Sequence, residues 1–159
     1  MPTKVQGVIN TEEMLLRLDT TVKKRVVKVL VKRAEMIRDT ARKMAPVDEG
    51  NLEEAIKLRG DAIGRTRDEF GRFQRTEVDV YVDMDQPVPD RPGKTVGDYA
   101  YEMHEHLTPM GPLQLGPGSQ AKQDGQSEQV GGGFLERAAD EVVGAGMEAE
   151  LMDILRDFV

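Results

Sequence analysis

Several clusters in this sequence have residue types that could do chemistry. His104-Glu105-His106, with Glu102 close by, gathers two imidazoles and two carboxylates in five residues. A zinc-dependent hydrolase site of the common helical type needs two histidines at i and i+4 on one face. His104 and His106 stand at i and i+2, which point apart on a helix. On a strand they would share a face, but no third ligand stands out. Asp79, Asp83 and Asp85 could hold a divalent cation, or form the solvated side of a strand. Gly131-Gly132-Gly133 precedes a helical segment, as a phosphate loop does, yet it lacks the Lys-Ser/Thr that follows in such loops. It reads better as a flexible lead into a helix. Neither of the two serines, Ser119 and Ser127, lies in a nucleophile elbow. The expectation is no catalytic residue, no metal, no cofactor and no enzyme.

A second class of chemistry is phosphate binding. Lys24, Lys28 and Lys32 lie on one side of a helical segment and could touch DNA. That segment has no aromatic side chain for base stacking and no recognition-helix turn. The net charge of −7 also argues against sequence-independent DNA binding. A DNA-binding module is therefore the lesser alternative.

The elements that carry these clusters follow from periodicity. Asn10 or Thr11 can cap a helix, with Glu13 completing a capping box. From Glu12 to Met44 there is no Gly or Pro, so a rod of about 50 Å is expected over residues 10–45. Leu15, Leu18, Val22, Val26, Val29, Ile37 and Met44 line one face. Arg17, Lys24, Lys28, Lys32 and Arg42 line the other. Val27, Val31 and Ala34 widen the apolar side, so the helix is either the central core helix or one buried partly by neighbouring subunits. Arg33 interrupts the stripe and marks a tilt or an intersubunit contact. Pro46 pushes Ala45 out of helical geometry and stops the rod, and Gly50 permits the turn that follows.

Residues 51–56 read as a short helix or the lead into a strand. Residues 55–85 hold the candidate sheet: a strand from Ile56 to Thr66, weakened by Gly60 and Gly64, and a better one from Thr76 to Met84. In the latter Val78, Val80 and Val82 alternate with Glu77, Asp79, Tyr81 and Asp83. Residues 68–73 look like the hairpin tip. Residues 86–97, with three prolines and two glycines, read as a loop. Residues 98–107 have helical character, and 108–133 read as a long loop of the functional or mobile kind. Residues 134–159 return to helix, with a kink near Gly144 and Gly146 or as two short helices. The fold class expected is α+β in a single domain over 1–159: long N-terminal and C-terminal helices on a small antiparallel sheet, with two long loops.

Composition agrees with a modest aliphatic core. Aromatic residues make up 4% of the 159 residues, there is no Trp, and nine methionines are present. The absence of Cys excludes disulfides and thiol chemistry. No stretch approaches a membrane span, and the N-terminus lacks the apolar run of a signal peptide. A protein made in a cytoplasm, with no membrane partner, is expected.

Charge is uneven. Residues 11–45 carry ten basic and five acidic groups, while residues 134–159 carry two basic and seven acidic. A basic and an acidic helix are natural mates, within a subunit or between subunits. Lys24, Lys28, Lys32, Arg33, Glu148 and Asp153 are therefore candidates for a subunit interface. Two different complementary surfaces are what a head-to-tail ring contact requires.

Three motifs in this order carry a resemblance. They are Ala45-Pro46-Val47-Asp48-Glu49-Gly50-Asn51-Leu52 after a long helix, Tyr99-Ala100 with Glu105, and Phe134-Leu135-Glu136-Arg137-Ala138 opening the last helix. Together they resemble the Hong Kong 97-type phage tail-component family, neck and tail-completion proteins of tailed double-stranded DNA bacteriophages, over residues 10 to 145. The family usually has Gly-Thr soon after the Glu that follows Tyr-Ala; here His106-Leu107-Thr108-Pro109 stands there. The resemblance implies a non-catalytic virion protein of the neck, assembled in the host cytoplasm into a ring, most often sixfold. Its implied partners are copies of itself, a head-side adaptor or stopper, and the tail terminator or tail tube. DNA would only pass through the lumen. The same resemblance would fit a tail terminator or a head-tail adaptor, and it makes the two long loops natural docking arms.

Overall fold

A computed structural model describes residues 20–47, 50–60, 78–144 and 146–157. Within them lie helix α1 (Thr20–Met44), a one-turn helix α2 (Asn51–Ala55), strands β1 (Ile56–Arg59) and β2 (Asp79–Val82), and helices α3 (Gly97–Glu105), α4 (Pro117–Asp124), α5 (Phe134–Gly144) and α6 (Met147–Arg156). The fold is α+β, as the periodicity predicts. The expected capping box at Asn10–Glu13, the first turns of the long helix with Leu15, Arg17 and Leu18, the hairpin tip at 68–73 and Asp48 lie outside the described residues.

Helix α1 is the spine, about 37 Å long over its described residues. Val22, Val26 and Val29 face inward near its start; Ala41, Met44 and Ala45 do so near its end. These two stretches serve two clusters. The first joins Val22, Val26 and Val29 to Ile154 of α6. The second joins Ala41, Met44 and Ala45 to Leu52, Ala55, Ile56, Val88, Val96, Ala100, Phe134 and Ala138. The described part of the apolar stripe therefore packs within the chain, with α5 and α6. Arg42, expected on the solvent face, is half-buried: its guanidinium donates to the Ile56 carbonyl at 2.8 and 3.2 Å. It thereby satisfies an edge acceptor that a two-stranded sheet leaves open.

Among the described residues the sheet is shorter than the alternation suggests, and positions 61–66 and 76–77 of the expected strands lie outside them. β1 and β2 pair antiparallel, with Ile56 opposite Val82 and Arg59 opposite Asp79. Val80 and Val82 pack against the core. On the other side Arg59 bonds Asp79 at 3.1 Å and lies over the Tyr81 ring, while Lys57 bonds Asp83 at 2.7 Å.

The expected loops hold more order than their composition suggests. Residues 86–97 fold back on themselves: Val96 N–H donates to Gln86 and Val88 N–H to Lys94, with Val88 and Val96 buried. Residues 108–133, read as one loop, contain the two-turn helix α4, opened by Pro117 at its first position. The C-terminal helix is two helices, α5 and α6, separated at Gly146, whose φ of 94° is left-handed. No helix among the described residues is long and apolar enough to cross a membrane.

Candidate assembly surfaces

Most of the residues with apparent chemistry are engaged structurally, while Asp85 and Glu102 are exposed. His104 is half-buried, packs edge-on against Phe134 at 5.0 Å and bonds Glu105 through Nδ1 at 2.9 Å. His106 stands against Tyr101 instead, ring to ring at 6.2 Å. The two imidazoles therefore serve different neighbours, and among the described residues no group of three His, Asp or Glu is placed to hold a metal ion. Asp79 and Asp83 are the partners of Arg59 and Lys57 described above, and Lys57 holds the Asp83 carboxyl below the usual range, chiefly through their hydrogen bond.

Gly131-Gly132-Gly133 is not an anion nest. Its three N–H groups donate to the carbonyls of Met44 (2.9 Å), Thr108 (2.9 Å) and His104 (2.8 Å). Small size is required here: a Cβ on Gly132 would stand 2.5 Å from the Leu107 oxygen and 2.7 Å from that of His104. The carbonyls of the same stretch are gathered by Arg137, which donates to Gln129, Gly131 and Gly132 at 2.8 to 3.2 Å. Burial pushes the Arg137 pKa down. An open depression of about 360 Å³ beside it is lined by Met44, Ser127, Glu128, Gln129, Arg137 and Glu141. The Arg137 donors face backbone rather than this space.

The family motifs meet in one place. Ala45, Leu52, Ala100, Phe134 and Ala138 share the larger core cluster, with Tyr99 and Leu135 packed against it. Pro46 is buried, and Gly50 takes the left-handed φ of 82° that begins α2. Glu105 is exposed. Two residues outside the motifs hold the turn, and nothing in the pattern around them marks them. Ser119 Oγ accepts from the Val47 N–H at 2.9 Å. One turn on, Lys122 Nζ donates to Arg42 O (2.6 Å), Ala45 O (2.8 Å) and the Glu53 carboxylate (2.5 Å). Helix α4 thus clamps the chain at Ala45 and Val47 and supplies partners for the open carbonyls at the end of α1.

The candidate interface residues divide. Arg33 donates twice to Glu150, at 2.8 and 3.0 Å, and once to the Val142 carbonyl; Lys32 reaches Glu150 at 3.5 Å. These bonds, with Arg25 to Asp157 at 3.2 Å, join the basic helix to the acidic one inside the chain. The Arg33 hydrogen bond holds the Glu150 carboxyl below its ordinary range. Lys24, Lys28, Glu148 and Asp153 stay exposed, with Asp153 only in a loose pair with Arg156. Large apolar side chains are exposed in several places: Tyr101 (62%), Met110 (50%) and Leu113 (43%) on α3 and the loop after it, and Met36, Met84, Val143 and Met152 on other segments. Tyr101 follows directly on the Tyr99-Ala100 motif, but periodicity does not show which tyrosine faces out.

Residues 12–101 match the family described as "Bacteriophage HK97-gp10, putative tail-component". No curated relative and no solved structure matches the chain. The match covers more than half of the chain and includes the Ala45–Leu52 motif and the Tyr99-Ala100 pair, ending before Glu105. Phe134 and Ala138 lie beyond it, yet they pack on the same core as Leu52 and Ala100. By its matched sequence, then, the chain belongs to the HK97 gp10-like family of bacteriophage tail components.

Proposed function

We propose that this chain is a non-catalytic subunit of the phage neck, a tail-completion ring joining the head connector to the tail. The observation that carries the reading is the family match together with the position of its motif residues. Ala45, Leu52 and Ala100 build a core and line no cleft. A protein whose signature residues are scaffold works through its outer surfaces, and here those include exposed tyrosine, methionine and leucine side chains. Its partners are other copies, a head-side adaptor or stopper, and the tail terminator or tube. DNA passes through the lumen and is not gripped. The test is deletion of the gene from the phage. Electron microscopy is expected to show filled heads and separate finished tails, joined again when purified protein is added. Normal joined particles lacking the protein would end the reading.

A further inference from the structure

We propose that two copies of this chain join head to tail, the basic first half of α1 in one copy seated on the tyrosine-centred acidic face of α3 in the next. Only its biological setting rests on the neck reading above; the two faces are argued from their own geometry.

The receiving face is built on α3. Ala100 is buried, and the opposite side presents Asp98, Tyr101, Glu102 and Glu105, all exposed. Their spacings of three and four residues put them side by side. Tyr101 packs edge-on against His106, whose carbonyl accepts from Leu113 N–H at 2.9 Å; Met110 N–H bonds Leu107 at 3.0 Å. Exposed Met110 and Leu113 are thereby fixed on a short hydrogen-bonded loop at the same end. Tyr101 is flanked by Asp98, which also accepts from the Thr95 N–H, and by Glu105, which also pairs with His104, with Glu102 on the adjoining side; an exposed ring among carboxylates attracts a cation, through charge and through the ring face.

The chain carries such a cationic element. Lys24 and Lys28 are exposed one turn apart and have no ion-pair partner among the described residues. Half-buried Val27 and Val31 lie beside them on the helix, which gives apolar contact for Tyr101 and Leu113. The basic stretch and α3 cannot meet within one chain. Ala100 of α3 shares the larger core cluster with Ala41 and Met44, at the far end of α1. Lys24 and Lys28 lie about 20 to 30 Å back along the helix. Two unlike complementary surfaces at opposite ends of a rigid helix give a heterologous contact, which closes into a ring or extends.

The test uses the full chain in sedimentation velocity, over a broad concentration range and at two salt concentrations. Wild type is expected to self-associate, less so at high salt. Lys24→Glu with Lys28→Glu, and separately Tyr101→Ala with Glu102→Lys, are each expected to weaken association more than about a hundredfold. Their melting curves should stay like wild type, because all four side chains are exposed. Each double variant keeps one intact face, so mixing the two should give a one-to-one complex. Wild type that stays monomeric, variants that assemble like wild type, or variants that fail to pair when mixed would each overturn the proposal. Detection of the protein in purified particles tests the neck reading separately: association by these faces in a protein absent from particles would sink that reading alone.

Discussion

Lys122 Nζ donates to the carbonyl oxygen of Ala45 at 2.8 Å, across 77 residues of chain. That bond, with those to Arg42 O and Glu53, places a half-buried ammonium at the negative end of α1, where a cation is favoured. Lys122→Met keeps the stem and removes the donors. The expected cost is about 3 kcal/mol, because Glu53 and two carbonyls lose their partner. The melting midpoint should fall by roughly 8 °C. A thermal unfolding curve checks it, and an unchanged midpoint would remove α4 from its role as a clamp.

Two glycines separate close approach from mere flexibility. Gly132→Ala forces a Cβ onto the backbone oxygens of Leu107 and His104. It is expected to cost more than about 3 kcal/mol. Gly144→Ala meets nothing within 4 Å at the end of α5, and should be neutral or stabilising by up to about 1 kcal/mol. Urea unfolding of both variants measures the difference; equal effects would contradict the packing described.

Acid should weaken the fold through two carboxylates. Lys43, through its hydrogen bond, and further bonds to backbone and Ser127 hold the Glu128 pKa at about 2. The Arg33 hydrogen bond lowers that of Glu150. A carboxyl depressed in the folded state contributes stability above its unfolded pKa, and loses that contribution as pH falls through the folded value. Urea midpoints should therefore drop as pH falls below about 4.5, the ordinary glutamate value, and for Glu128 the loss should continue to about pH 2. Glu128→Gln and Glu150→Gln should each flatten this acid limb. Variants whose pH profile parallels wild type would show that the pairs do not form in solution.

Helix α5 offers an internal contrast. Phe134 is fully buried at the meeting point of the three motifs, while Glu136, two residues on, is exposed. Phe134→Ala is expected to cost about 4 kcal/mol, and Glu136→Ala less than about 0.5 kcal/mol. Chemical denaturation distinguishes them, and a mild effect at Phe134 would mean that α5 is not part of the core.

Much of the architecture is legible in the chain because it rests on local physics. Val22, Val26 and Val29 recur at helical spacing and are buried; Pro46 ends α1; Gly146 separates α5 from α6. Val80 and Val82 alternate and face the core. What sequence reading misses depends on contacts between distant segments. Helix α4 is short, polar and glycine-flanked, and its docking relies on Ser119 and Lys122 meeting a turn more than 70 residues earlier. The glycine triplet looks like a loop because its need for small residues comes from the carbonyls of Leu107 and His104, on another segment. Charge asymmetry shows that α1 and α6 are suited to each other, but only coordinates place the Arg33–Glu150 pair inside one chain. The residues proposed for the interface are the least legible, since exposure of Lys24 or Tyr101 is set by which neighbours the fold brings near.

Arg33 has a wider consequence. Its guanidinium bonds the Val142 carbonyl, near the end of α5, and the Glu150 carboxylate, on α6. It therefore bridges the joint at Gly146 from the side of α1. The two clusters along α1 are thereby tied across the α5–α6 joint by one side chain, as well as by the helix they share. In the neck ring proposed above, that bridge would keep the outer faces of a small subunit at a fixed spacing.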